Sequence, residues 1–109
     1  MAYNEELAER MRAKLKTARG VVKKKMFGGV GFLVNGNMAC GIIKDDLIVR
    51  LSEEEFIKAL KRKNVRVFDY SGRPMTGWIY VSAEGYKSDK ALEGWIDKGV
   101  TFAKSLPKK

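Results

Sequence analysis

A chain of 109 residues with a formal net charge of +9, 45% hydrophobic residues, one Cys and no His is sized for one domain, residues 1–109, burying about two thirds of its unfolded surface in a single core. The lone Cys excludes an intramolecular disulfide and points to a reducing, cytoplasmic setting, while the missing His removes the commonest metal ligand, triad member and general base. The polar start, Met1 to Glu6, is unlike a signal peptide, and no apolar run approaches the ~20 residues that a membrane span needs.

Asn4 followed by Glu5 and Glu6 is an N-cap with acids at the positive end of a helix dipole. Leu7, Met11, Leu15 and Ala18 recur on one stripe, and Arg19-Gly20 is a stop signal, so the first helix is expected over about residues 5–19. Val21 to Lys25 lead into the segment Met26 to Gly41, M-F-G-G-V-G-F-L-V-N-G-N-M-A-C-G. Its glycines suggest a phosphate cradle, but the spacing denies it. After Gly29-Val30-Gly31 the sixth position of a dinucleotide fingerprint is Val34, and no Lys lies between Met26 and Ile43 to complete a phosphate loop. Asn35-Gly36 between two apolar runs is instead a hairpin turn, with a bulge or bend expected at Gly28-Gly29.

Lys44-Asp45-Asp46 reads as a turn, and Leu47 to Leu51 as a strand with Leu47, Val49 and Leu51 on one face, completing a three-stranded meander. Ser52 with Glu55 forms a capping box for a second helix whose inward residues are Phe56, Ile57, Ala59 and Leu60. Val65 to Phe68 and Trp78 to Val81 are short strands joined by a loop that contains Pro74. Ser88 caps a last helix, with Leu92, Trp95, Ile96, Gly99, Phe102, Ala103 and Leu106 inward and Pro107 at its end. Gly94 and Gly99 each cost this helix about 1 kcal/mol relative to Ala, which signals close backbone packing or a helix that is not rigid. A basic tail closes the chain at 107–109. The order is α-β(3)-α-β(2)-α, an α+β class with a five-stranded antiparallel sheet. The first and last helices are expected to share one face, leaving the other face or an edge strand for a partner, with homodimerisation expected.

The positive charge is concentrated. Arg10, Arg12, Lys14, Lys16, Arg19, Lys23, Lys24, Lys25 and Lys44 fall in a stretch without an acid, and the remainder of the chain is balanced. On a helix, Arg10 and Lys14 flank one side of the apolar stripe and Arg12, Lys16 and Arg19 the other. Arg10, Lys14, Lys23, Lys24, Lys25 and Arg50 are the candidate contacts to an anion or nucleic acid. Tyr70, Arg73 and Trp78 form a second candidate, a loop in which an Arg between aromatics would clamp a ligand or a partner; the plain alternative is that Met75 and Trp78 cap the core. Cys40, between Ala39 and Gly41 in an apolar strand, reads as buried packing, Asp45 and Asp46 as turn residues, and Glu53 to Glu55 as a helix first turn. No catalytic, metal or cofactor constellation is expected.

Met26-Phe27-Gly28-Gly29-Val30-Gly31, Asn35-Gly36-Asn37-Met38, Asp46 to Arg50, Gly72-Arg73-Pro74-Met75, Gly77-Trp78 and the helix bearing Leu92 and Trp95 resemble the N-terminal domain of the TfoX (Sxy) competence-regulator family. The resemblance spans nearly the whole chain and implies a fold similar to type III secretion chaperones. It also implies a non-enzymatic regulatory or interaction role exercised through a protein partner. The best-known members are needed for transcription of DNA-uptake genes and carry a second, helical domain; a chain ending at Lys109 resembles the stand-alone members. Direct nucleic-acid binding through the basic 10–25 region and a small-ligand site near Arg73 are the alternatives.

Overall fold

The first helix is set by its cap. Asn4 is extended, its side-chain oxygen accepts from the Leu7 N–H at 3.0 Å, and α1 follows over Glu5–Leu15 with Leu7, Ala8, Met11 and Leu15 buried. A computed structural model describes residues 3–16, 20–26, 29–69 and 72–107. The expected continuation of this helix through 17–19, with Ala18, therefore lies outside the described residues, as do Gly28, Tyr70, Lys108 and Lys109.

The α+β class holds, with six strands among the described residues: β1 Val21–Met26, β2 Gly29–Val34, β3 Asn37–Ile43, β4 Asp46–Arg50, β5 Val65–Val67 and β6 Trp78–Val81. They form one antiparallel sheet in the order β1-β2-β3-β4-β6-β5. The additional strand is β1, expected only as a lead-in. Three consecutive lysines are weak strand formers, but β1 pairs along its whole length with β2, from Val21 opposite Val34 to Met26 opposite Gly29. At a sheet edge, lysine heads stay in water while the backbone is paired, so the ladder overrides propensity.

Asn35 (φ 54°) and Gly36 (φ 84°) make the two-residue turn between β2 and β3, both in the left-handed region that such a hairpin requires. The register shift lies between Phe32 and Leu33 opposite β3; of the bulge or bend expected at Gly28-Gly29, Gly28 lies outside the described residues, and Gly29 pairs in register with Met26.

Among the described residues the helices lie on one face. Val30, Phe32, Cys40, Ile42, Leu47, Val49, Ile79 and Val81 meet the stripe of α1, Phe56 and Ala59 of α2 (Glu53–Ala59), Tyr86 of the short, unforeseen α3 (Ala83–Tyr86), and Leu92, Trp95, Ile96 and Ala103 of α4 (Asp89–Ser105). Within α2 the expected inward set is half right. Phe56 and Ala59 are buried, whereas Ile57 and Leu60 are 52% and 40% exposed, because a helix of under two turns can present only one narrow face to the sheet. The Ser52 hydroxyl accepts from the Glu55 N–H at 3.3 Å. The Glu55 carboxylate turns to Lys98, 2.9 Å away, rather than back to Ser52, so only half of the expected capping box forms. That lysine holds the Glu55 carboxyl below its ordinary pKa, first through the hydrogen bond and then through its charge.

The opposite face is covered in part by the β5–β6 connection. Met38, Ile43, Ile48, Phe68 and Tyr80 form a second cluster, with Leu33, Met75 and Trp78 packed against it. The connection is held by its own backbone: Phe68 N–H donates to the Trp78 carbonyl and Met75 N–H to the Phe68 carbonyl, each at 2.9 Å. Among the described residues no helix is long and apolar enough to cross a membrane.

Candidate functional site

The wheel geometry of α1 sends its basic residues to two places. On one flank Arg10 donates to the carbonyl oxygens of Tyr86 and Lys87, at 3.3 and 3.1 Å, and to the Asp89 carboxylate at 3.1 Å. One turn on, Lys14 lies 3.6 Å from Glu93. Both cations bind the helix to the start of α4, where the Tyr86 hydroxyl also donates to the Asp45 carbonyl. Burial, then Asp45 and Asp46, raise the pKa of that phenol. Arg10 and Lys14 are thus occupied by the fold itself.

The other flank faces β1. Arg12, Lys16 and Lys23 rim a cavity of about 280 Å³ whose apolar lining is Leu15, Val21 and Phe32. Leu15 and Phe32 are 5% and 2% exposed and belong to the core, so the groove is floored by packed hydrocarbon and rimmed by cations. Among the described residues no acid lines it; Glu9, which pairs with Arg12, sits on the helix outside it. Lys23 and Lys25 are on the helix side of β1, opposite Phe32 and Val30, and Lys24 is on the reverse side opposite Gly31. All three lysines are exposed.

The six candidate anion contacts therefore do not form one patch. Arg10 and Lys14 serve the α1–α4 contact. Arg50 is three strands away from β1, about 14 Å at ordinary strand spacing, with its guanidinium 5.2 Å from the Trp78 ring and 5.4 Å from that of Phe102. Lys23 to Lys25 share an edge with Arg12 and Lys16, which were absent from the candidate set. The signal for them was present in the helical wheel, since Arg12 and Lys16 already fell on one flank; what a wheel lacks is the neighbour that the flank meets.

The second candidate resolves differently. Trp78 is 5.9 Å from Phe68 and is flanked by Arg50, which places it in the packing of the outer face. Arg73 is exposed beside Gly72, Tyr70 is outside the described residues, and the nearby guanidinium contacts belong to other arginines. Arg66 covers Tyr80 at 4.3 Å while pairing with Asp46 at 2.8 Å, and Arg62 covers Trp95 at 4.5 Å. These stacked cations shield ring faces at the domain surface. A cavity of about 350 Å³ between α2 and α4 is bounded by Glu55, Asp97, Lys98 and Phe102, where Lys98 pairs with Glu55. Cys40 is fully buried, and burial pushes its thiol from 9.0 up to about 12, so it holds its proton at neutral pH.

Residues 13–103 match the family model for the TfoX N-terminal domain, which covers most of the chain. No curated protein matches the chain.

Proposed function

We propose that this chain, which belongs to the TfoX N-terminal domain family, acts as a non-catalytic regulatory or interaction module in transcriptional control, in the cytoplasm and through a protein partner. The observation that carries the reading is the family match over residues 13–103. A sequence without His and a thiol held neutral by burial support the non-catalytic part. Homodimerisation belongs to the same proposal, and the exposed apolar pair of Ile57 on α2 and Leu60 at its C-cap is its favoured contact. The β1 edge is not, because antiparallel self-pairing there would set lysines against lysines. Affinity capture with the full chain tests the module: protein partners that stay bound after nuclease treatment are expected, and capture that vanishes with nuclease would overturn the reading. Light scattering tests the dimer, and a strict monomer across micromolar concentrations would remove it.

A second reading, direct nucleic-acid binding, is favoured by the meeting of Arg12, Lys16 and Lys23 at one groove. It requires that log affinity for duplex DNA fall against log salt with a slope of about −0.9 per phosphate contact. Anisotropy at low salt with no change on adding DNA or RNA would remove it.

A further inference from the structure

We infer that β1 and the groove beside it form a docking edge for an acidic, extended peptide segment of a partner protein, which adds a seventh, antiparallel strand to the sheet. The inference rests on the reading of the chain as a protein-interaction module and names the surface and the chemistry of its occupant.

Backbone geometry supplies the first part. The Asn35 N–H donates to the Gly20 carbonyl at 3.2 Å, so this pair is a hydrogen-bonded one. The β1–β2 register continues without a shift from Val21 opposite Val34 to Met26 opposite Gly29. In an antiparallel ladder, hydrogen-bonded and non-hydrogen-bonded pairs alternate. Val22, Lys24 and Met26 therefore exchange bonds with β2, and Val21, Lys23 and Lys25 direct their N–H and C=O groups outward. β1 ends the strand order, so those three residues offer a template of donors and acceptors at strand spacing.

Side chains supply the second part. An added strand alternates its residues between the two faces. On the helix side its residues lie across from Val21, Lys23 and Lys25, beside the groove floored by Leu15, Val21 and Phe32 and rimmed by Arg12, Lys16 and Lys23. On the reverse side they lie across from Lys24 and from Val22, which is 59% exposed. Charge and hydropathy complementarity then specify the occupant in chain order: three acids opposite Lys25, Lys24 and Lys23, followed by two apolar residues opposite Val22 and Val21, the last of them entering the groove. The β1 strand of a second copy fails the charge requirement at this edge, and the acidic run Glu53 to Glu55 with Phe56 and Ile57 is folded into α2, where Phe56 is buried. A nucleic acid would satisfy the cations but leave unused both the apolar floor and the outward backbone groups.

The test uses the full chain and a fluorescein-labelled synthetic peptide containing Glu-Glu-Glu-Val-Leu, titrated by anisotropy. Binding is expected, weakened about tenfold by Lys23→Glu, which exchanges an attraction for a repulsion. N-methylation of the third residue of this motif removes an N–H aimed at β1 and is expected to weaken binding at least tenfold, whereas N-methylation of the fourth leaves it within twofold. Equal effects of the two methylations would show attraction by charge alone and overturn strand addition, as would a lack of peptide binding, or binding of duplex DNA in place of the peptide with the same sensitivity to Lys23→Glu. If nuclease-resistant partner capture is indifferent to Lys23→Glu, this edge is wrong while the interaction module stands; loss of all capture on nuclease treatment overturns the module itself.

Discussion

Two glycines in α4 carry opposite expectations, and the contrast tests how that helix lies on the sheet. Gly94 is exposed, and a Cβ built on it meets nothing within 4 Å. Gly99 is buried, and its Cβ would press on the Ala39 carbonyl oxygen far inside the 3.0 Å that real Cβ atoms respect, with Val49 Cγ1 at 3.4 Å. Gly94→Ala gains helix propensity of up to about 1 kcal/mol with no steric cost. Gly99→Ala gains the same propensity but meets the backbone of β3, the strand that carries the fully buried Ala39 and Cys40 and cannot yield without disturbing its ladders on both sides. With overpacking at the upper end of its usual range, about 3 kcal/mol, the net loss is about 2 kcal/mol. For a chain of this length an unfolding entropy near 0.23 kcal/mol/K converts these to shifts in Tm of about 4 °C upward for Gly94→Ala and about 9 °C downward for Gly99→Ala. Thermal and urea unfolding followed by far-UV circular dichroism measure both, with the urea m-value unchanged. A Gly99→Ala variant as stable as the parent would refute the close approach of α4 to β3, and with it the account of why that glycine is there.

The remaining predictions address the thiol, the occupied flank of α1 and the hairpin. Burial raises the Cys40 pKa from 9.0 to about 12. Its contribution to stability is therefore complete below pH 9 and is lost as pH rises from 9 towards 12, because the unfolded thiol ionises first; at pH 8 the native chain should resist a thiol reagent that labels it in urea, and rapid native labelling would contradict the burial. Arg10→Ala should lower stability by about 1 kcal/mol in urea, discounted because Asp89 is exposed, while leaving acidic-peptide affinity unchanged; a loss of affinity would return Arg10 to the binding surface. Asn35→Ala places an Ala in the left-handed region at φ 54° and should cost about 1 kcal/mol. An unchanged urea midpoint would count against the Asn-Gly turn.

Local signals carried much of this fold. Asn4, Ser52 and Ser88 each cap a helix through the side chain, and Asn35-Gly36 turns a hairpin, because caps and tight turns are satisfied by atoms a few residues apart. The apolar positions of α4 at 92, 95, 96, 99 and 103 are buried, as its periodicity requires. What escaped was decided by distant neighbours. β1 is a strand because β2 lies beside it; Ile57 and Leu60 stay exposed because α2 meets the sheet along one narrow line; Glu55 leaves its cap because Lys98 is within reach.

The candidate site divides in the same way. Sequence alone determined that the positive charge lies in one third of the chain, that the glycine-rich stretch is turn chemistry and no nucleotide cradle, and that α1 carries two basic flanks, since these depend only on composition, spacing and helical pitch. Only the tertiary structure decided which flank meets α4 and which meets β1. Arg10 and Lys14 were indistinguishable from Arg12 and Lys16 until α4 brought Asp89 and Glu93 to one side of α1, and β1 brought Lys23 to the other. The physical reason is range: a helix wheel fixes the direction in which a charge points, whereas its partner is supplied by an element far off in the chain, placed by the burial of apolar surface that draws no distinction between one lysine and another.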